Sequence, residues 1–370
     1  MGQSGELLPD ASSVKADATA TETRLRLSVI VPARNEAAVL AECLRSLVEQ
    51  SDVGFELGVE WELIVVDDDS TDGTRAIAQA AAAGRDGVLV IDAPRLDQSD
   101  RGGFTGKTNA CWAGAQRARG AWLLFTDADT VHEPGDLGRA LHEAKRYGVA
   151  LLSYSPRQIV TGFWQRAVMP LVFSELASVY PPKKVNDPAN HLAAANGQFL
   201  MVEREAYFAV GGHRMVGQEI LEDVALARRI KRARHAIRLR YAPDALAAQM
   251  YRSLPEMVEG WTKNLALLFP SAVLMAGMQM LQFLLFFGLP ALAMGMPLLV
   301  IWQRWAILLV WLRAVWGFYG RVARSNFPAG DVAISIFGVP IFCWLLVRSH
   351  LHHRVSKSVD WKGRRYKVGR

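Results

Sequence analysis

The sequence predicts an α/β fold built on a mostly parallel sheet, followed by apolar helices in or on a membrane. Two observations carry this. Over residues 24–150, short Val/Ile/Leu-rich runs alternate with runs of helical composition, the pattern of βαβ units whose strands are buried on both faces. Over residues 268–347 the composition changes abruptly: one acid, Asp331, and four arginines stand in the whole zone, and no charge occurs from Asn264 to Gln303.

Taken in order, residues 1–23 are polar, mixed in charge and lack the apolar stretch of a secretory signal; they read as a disordered tail. The expected strands are RLSVIVPA (26–33), ELIVVDDD (62–69), VLVIDA (88–93) and WLLFTDAD (122–129). The helices between them are EAAVLAECLRSLVEQ, TRAIAQAAAAG and TNACWAGAQRARG. Residues 151–267 are more irregular. AANGQFLMVEREAYFAVGGH (194–213) predicts a strand, then a short helix ended by a glycine pair. LEDVALARRIKRAR (221–234) is an amphipathic helix with Val224, Leu226, Ala227 and Ile230 inward.

A bilayer-spanning helix needs roughly 20 apolar residues. The stretch around 268–303 holds one span and much of a second, broken near Pro290 and Pro297, and 305–320 and 332–347 are further, shorter stretches. The formal charge of +6 is concentrated at one end, since residues 348–370 carry eight Lys or Arg against Asp360 alone. A near-neutral body with one cationic tail suits an anionic membrane surface, not nucleic acid. Three scattered cysteines give no zinc or disulfide spacing. The positive-inside rule puts the tail in the cytoplasm, where a domain without a signal also stays. Both together demand an even number of crossings, yet three apolar stretches are visible. One piece is then re-entrant or interfacial, and the sequence does not say which.

Ligands in such sheets bind beyond the carboxyl ends of the strands, so the residues just past each strand matter most. The fourth strand ends in Asp127 and Asp129. Two close carboxylates repel unless a cation or proton joins them, and a hard divalent ion shared with substrate phosphates is the natural partner; a helix-capping role for one Asp, in DTVHEPGDL read as a turn into a helix, is the plainer alternative. The second strand ends in Asp67 and Asp68, and the first in Pro32, Arg34, Asn35 and Glu36. Three polar strand ends at one pole of one sheet make a site.

The ordered set SVIVPARNEA, ELIVVDDDSTDGT, WLLFTDADT and LEDVALARRIK resembles the family 2 glycosyltransferases of GT-A fold, over about residues 26–235. That resemblance implies an inverting transferase using a nucleotide-diphosphate sugar and Mg²⁺ or Mn²⁺. It implies nucleotide contacts at Pro32, Arg34, Glu36, Asp67, Asp68 and Asp127, metal ligation by Asp127 and Asp129, and a catalytic base at Asp223. Such a base must lie within hydrogen-bond reach of the acceptor hydroxyl, and the metal would act as Lewis acid for the departing phosphate.

GGFTGKTNACWAG (102–114) adds Lys107 and Asn109 as phosphate or ribose contacts. Its Gly102–Thr108 spacing also satisfies a P-loop pattern, but the segment does not directly follow a strand as that motif requires. Asn196, Gln198 and His213 are expected on the sugar or acceptor side, with Glu222 beside the base. The QxxRW motif, which holds the acceptor end and diphosphate in many membrane-linked relatives, is missing; MYRSLPEMVEGWTKNL (250–265), with Arg252 and with Trp261 and Lys263 expected on the acceptor or sugar side, and VDWKGRRY (359–366) are the candidate substitutes. FTGKTNACWAG, VNDPANHLAAANGQF, GGH and GWTKN look most like the bacterial carotenoid- and hopanoid-associated members.

The resulting expectation is a 24–267 catalytic domain, a 268–347 membrane-embedded helical module and a 348–370 cytoplasmic basic tail, in a multi-pass protein of the cell inner membrane. The substrate pair would be UDP-glucose and a hydrophobic isoprenoid acceptor. Alternatives are a polyprenyl phosphate or ceramide-like acceptor, a membrane P-loop NTPase, and a catalytically dead membrane scaffold.

Overall fold

The computed structural model describes residues 25–50, 52–96, 103–296, 299–356, 358–361 and 364–367. The expected tail at 1–23 and Gly102 of the P-loop-like spacing lie outside them. The chain opens with β1 (Leu27–Ala33), α1 (Leu40–Val48), β2 (Trp61–Asp67), α2 (Thr74–Ala82), β3 (Val88–Asp92), α3 (Gly106–Arg117) and β4 (Trp122–Phe125). These strands run parallel in the order β3-β2-β1-β4. Every residue of β2 and β4 is buried, as continuous apolar runs covered on both faces must be. Glu62, the acid near the start of β2, is satisfied there: Ser28 Oγ and the Arg119 backbone N–H donate to one oxygen, each at 2.7 Å, and the Arg119 guanidinium donates to the other at 2.9 Å.

Next come β5 (Thr130–His132), α4 (Asp136–Arg146), β6 (Leu151–Ser155), β7 (Arg157–Gln158), α5 (Gly162–Val179), α6 (Pro182–Val185), β8 (Leu200–Glu203), α7 (Arg204–Ala209), α8 (Glu222–Arg232), β9 (Ile237–Tyr241) and β10 (Leu246–Ala248). The full sheet is β3-β2-β1-β4-β8-β6-β9, with β8 alone antiparallel. A small sheet, β5-β10-β7, lies beyond β4. Residues 130–132, expected as a turn into a helix, are thus a strand. They pair antiparallel with β10 (His132 opposite Leu246), and the helix begins only at Asp136.

The C-terminal part consists of α9 (Leu254–Leu268), α10 (Ala272–Gly295), α11 (Ile301–Val322), α12 (Ala329–Ile334) and α13 (Val339–Leu351), then a hairpin of β11 (Ser358–Trp361) and β12 (Arg364–Lys367). Pro290 does not end α10, contrary to the expected break. The apolar stretch expected at 332–347 is α12 and α13 joined by a 3₁₀ turn at Ser335–Gly338.

Two apolar cores flank the sheet. One holds α1, α4 and the faces of β1, β2 and β4 that meet them. The other joins Ile30 and Phe125 of the sheet to Val168 and Phe173 of α5, Trp261 of α9 and Leu346 of α13 without interruption. The long helix α5 is its centre. Sequence periodicity does not reveal α5, because it is apolar on nearly all sides and carries Pro170.

Candidate functional site

The carboxyl pole of the sheet carries a small cavity lined by Pro32, Lys107, Cys111, Asp127, Gly197, His213, Glu222 and Asp223, with Phe125, Thr126 and Leu200 as walls. Six separate chain segments build it. β1 delivers Pro32. α3 delivers Lys107 from its first turn, capped by Thr105, whose hydroxyl accepts the Thr108 N–H at 3.2 Å. The Thr105 N–H and the Thr108 hydroxyl both donate to the Gly217 carbonyl, at 2.6 and 2.7 Å, which ties this helix start to the segment that leads into α8. α8 begins with Glu222 and Asp223, where acids suit a helix N-terminus.

At the centre, Lys107 Nζ lies 2.7 Å from Asp127 Oδ1 and 2.9 Å from Glu222 Oε1. Burial works against the ammonium, but the two carboxylates outweigh it and raise its pKa well above the usual lysine range. Glu222 is likewise buried, yet Lys107 holds its pKa below the ordinary value. Asp223 goes the other way. Burial first and the Glu222 charge second push it up to about 7. Its carboxylate accepts the Gly197 N–H at 2.8 Å on one oxygen and the Val224 N–H at 2.7 Å on the other. Two backbone donors therefore fix a carboxyl group that titrates near neutrality, which is what a general base requires.

A buried network holds the Asp127–Asp129 turn. The Thr126 hydroxyl donates to the Gln198 carbonyl at 2.9 Å and meets Thr130 Oγ1 and His132 Nε2 at 2.9 and 3.0 Å. Thr130 donates to the Asp127 carbonyl at 2.7 Å, and His132 Nδ1 meets Asp136 Oδ2 at 2.8 Å. The same network thus locks the strand end carrying Asp127 to the loop carrying Gly197. Asp127 and Asp129 are both half-buried, with the buried Ala128 between them. Among the described residues no cluster of three His, Cys, Asp or Glu stands ready as a metal cage. Two carboxylates are the donor set by which a hard divalent ion is held when substrate phosphates and water complete its shell. The residues therefore fit Mg²⁺ or Mn²⁺ brought in with a diphosphate.

The remaining predicted residues sort by position. Arg34 donates to the backbone carbonyls of Asp68 and Asp69, and the Glu36 backbone N–H donates to the Thr74 hydroxyl at 2.8 Å. Asp67 faces Arg75 at 3.8 Å, and its other oxygen is buried without a hydrogen-bond partner among the described residues. Asn109 points away from the cavity and donates to the Pro94 carbonyl at 2.7 Å, bracing the segment after β3. Gln198 is buried, accepting from Gln158 at 2.9 Å and from Asn196 at 3.4 Å. His213 lines the cavity but is bonded to the Tyr207 hydroxyl at 2.9 Å, and burial lowers its pKa to about 4, so it is a neutral wall. Trp261, expected on the acceptor side, is in the core with its indole N–H on the Met169 sulfur at 3.3 Å. The Lys263 charge favours the Glu222 carboxylate. Cys111 and Gly197 line the cavity unpredicted; no spacing in the sequence marks them.

A family model described as "Glycosyl transferase family 2" matches residues 28–211. A 4,4'-diaponeurosporenoate glycosyltransferase of Staphylococcus haemolyticus is 26% identical over 361 residues, covering 94% of this chain and 90% of that protein. The protein of the same name from Staphylococcus aureus strain MRSA252 is 29% identical over 245 residues, 65% of this chain and 60% of its own length. A mannosyltransferase from Pyrobaculum calidifontis, solved with GDP-Man and Mn²⁺, superposes with a TM-score of 0.52 at 17% identity, covering 90% of this chain and 88% of that one. The fold is GT-A, and the described residues include three C-terminal helical segments long and apolar enough to cross a membrane.

Proposed function

We propose, for a chain that belongs to the family 2 glycosyltransferases, a membrane-bound inverting transfer of a hexose, glucose, from UDP-glucose to a hydrophobic isoprenoid of carotenoid or hopanoid type. The carrying observation is the cavity that gathers Lys107, Asp127, Glu222 and Asp223 at the carboxyl pole of the sheet. The relatives named for diaponeurosporenoate support the acceptor class. The catalytic domain and basic tail are assigned to the cytoplasm and the apolar helices to the inner membrane.

In this reading the acceptor oxygen attacks the anomeric carbon while the bond from that carbon to the diphosphate oxygen breaks, its electron pair leaving with UDP. Asp223 takes the proton of the acceptor hydroxyl or carboxyl group. Its two backbone donors keep it aimed, and Glu222 keeps it basic enough to accept. Asp127 and Asp129 would hold the divalent ion, which supplies Lewis-acid stabilisation to the leaving diphosphate. Lys107, already poised between Asp127 and Glu222, gives the diphosphate a second cation. Pro32, Arg34, Asp67 and Asp68 form the nucleotide side.

The test is transfer of radiolabelled glucose from UDP-glucose into the lipid phase by membranes containing the chain and an added carotenoid acceptor. Asp223→Asn should lower turnover by about 10²–10⁴-fold, the scale of general-base loss, and leave UDP binding within about twofold. Unchanged turnover in that variant would sink the base assignment, and labelling only of a polyprenyl phosphate would replace the acceptor.

A further inference from the structure

We infer that two helices, α10 and α11, cross the bilayer, and that residues 329–355 lie along its surface on the side of the catalytic domain. All three segments are long and apolar enough to span, so composition does not separate them. Their packing does.

α10 leaves the catalytic domain directly after α9, and α11 returns along it. The two are bound side by side by the Trp311 indole N–H on the Phe286 carbonyl at 2.7 Å and by ring contacts of Phe286 with Trp311, Phe318 and Tyr319. At the domain end, Arg321 of α11 donates to Gln279 and Gln282 of α10 at 3.1 and 2.7 Å and lies 3.4 Å from Glu175 of α5. The hairpin thus starts and finishes at the catalytic domain. At 1.5 Å per residue its arms of 24 and 22 residues are about 36 and 33 Å long, against a hydrocarbon core of about 30 Å. Only 17% and 11% of their most apolar windows is buried by protein. Leu274, Met278, Leu281 and Leu284 of α10 and Leu309, Val310 and Leu312 of α11 all face outward. Exposed Trp302 and Trp305 stand near the tip and Trp316 near the base, two levels as at the two faces of a bilayer. Arg313 is the opposing feature: it is exposed within α11. It lies two turns from Arg321, so its stem can carry the charge toward the domain-side headgroups.

Residues 329–355 behave differently, because half of their apolar window is buried. Their first turn is held to the catalytic domain by Arg166 Nε on Asp331 at 2.6 Å. Gly338 is seated directly on the Ala167 backbone. Their last turns are held by Ser349, which donates to the Thr262 carbonyl at 2.8 Å and accepts the Ala266 N–H at 2.9 Å, and by His353 Nε2 on the Lys263 carbonyl at 2.8 Å. Both ends therefore touch the same domain. The large apolar side chains left exposed are Phe337, Trp344 and Leu351, at seven-residue spacing, with Val355 one turn further on, while Phe342, Leu345 and Leu346 face protein. The partner of that exposed set is the bilayer surface into which the neighbouring hairpin inserts. Two crossings return the chain to its starting side, which settles the parity problem posed by the basic tail.

This inference rests on the apolar helices alone and not on the transfer chemistry. It is tested in the full chain in intact cells and in inverted vesicles, with a membrane-impermeant maleimide on three single variants: Val59→Cys as the catalytic-domain reference, Met294→Cys near the hairpin tip, and Arg354→Cys after the third segment. The native cysteines are buried. Arg354→Cys should react from the same side as Val59→Cys, and Met294→Cys from the opposite side, with at least about tenfold preference. Arg354→Cys reacting from the opposite side means three crossings and overturns the proposal. Met294→Cys reacting from the Val59 side, or from neither, places the hairpin tip short of the far face and also overturns it. Fusions of green fluorescent protein and of alkaline phosphatase to residue 370 of the unaltered chain check the third segment without substitution. Fluorescence with phosphatase silence is expected, and the reverse overturns the proposal.

Discussion

Lys107 Nζ sits 2.7 Å from Asp127 Oδ1, so the carboxylate proposed to ligate a metal already holds a cation supplied by the chain itself. The ammonium and a divalent ion compete for that oxygen until a diphosphate arrives for both. Lys107→Met should therefore tighten Mn²⁺ binding without nucleotide by about three- to tenfold, roughly 1 kcal/mol, while lowering turnover by at least about 10²-fold. Calorimetric Mn²⁺ titration of both proteins checks the first half. Weaker Mn²⁺ binding in the variant would mean that Lys107 organises the carboxylates and does not compete for them.

The pH profile should report Asp223. With its pKa raised to about 7 by burial and Glu222, kcat/KM should climb between pH 6 and 8 as the base loses its proton. Glu222→Gln removes the neighbouring charge and should move the rise to lower pH. The same raised pKa means that the folded chain binds this proton more tightly than the unfolded one. Its contribution to stability is then full below the ordinary aspartate pKa and is lost as pH rises through 7. Glu222→Gln should flatten that loss, read from Tm across pH 5–8. An unmoved profile would detach Asp223 from the rate.

Two glycines separate chemistry from folding. A Cβ at Gly197 would meet Lys107 Nζ at 2.9 Å and the Asp223 and Glu222 oxygens at 3.5 Å, whereas one at Gly114 would meet Ile30 Cγ2 at 2.5 Å inside the core. Gly197→Ala should fold with a Tm change of only about 2 °C or less, since the lysine end can shift, and lose at least about tenfold in turnover. Gly114→Ala should cost about 1–3 kcal/mol of stability by overpacking, with the surviving folded fraction retaining its rate. Thermal unfolding beside the transfer assay distinguishes the two.

His132→Phe keeps the bulk but breaks the bonds to Thr126 and Asp136 that lie beneath the Asp127–Asp129 turn. Leaving Asp136 buried without its partner should cost about 2–4 kcal/mol and raise the Mn²⁺ concentration needed for half-maximal activity. His132→Asn, able to reach one of the two partners, should recover part of both. An unchanged metal requirement at lowered Tm would make His132 a stability residue only.

Much of the fold was legible because β1, β2 and β4 are continuous apolar runs with polar ends, and α8 is plainly amphipathic. α5 was not, because a helix buried all round has no polar face to mark it. The strand at Thr130–His132 was hidden for another reason: three residues form it only because β10, more than a hundred residues later, pairs with them. Asp127 and Asp129 could be picked out at a strand end, and Asp223 through the resemblance of LEDVALARRIK at the start of α8. The grouping of Lys107 with Glu222 depends on a hydroxyl and a backbone N–H meeting at Gly217, which no local pattern encodes. Trp261 was misplaced because an aromatic beside a lysine reads the same whether it meets a ligand or Met169. The burial of Phe342, Leu345 and Leu346 within residues 332–347 was not legible either, because apolar composition does not distinguish lipid from a protein neighbour.

The core that runs unbroken from Ile30 to Leu346 has a consequence for making the enzyme in soluble form. Cutting the chain after Leu268 would remove α13, with the Ser349 bonds that brace α9, and would take Phe327 from the ring of Phe173 in α5. The fragment would be expected to aggregate. Excising only the hairpin from Val273 to Arg321 would keep the Ser349 bonds of α13 to α9, but it would take Ala276 from Cys343 and Gln279 and Arg321 from buried Glu175, so either cut opens this core and the whole chain is the unit to purify.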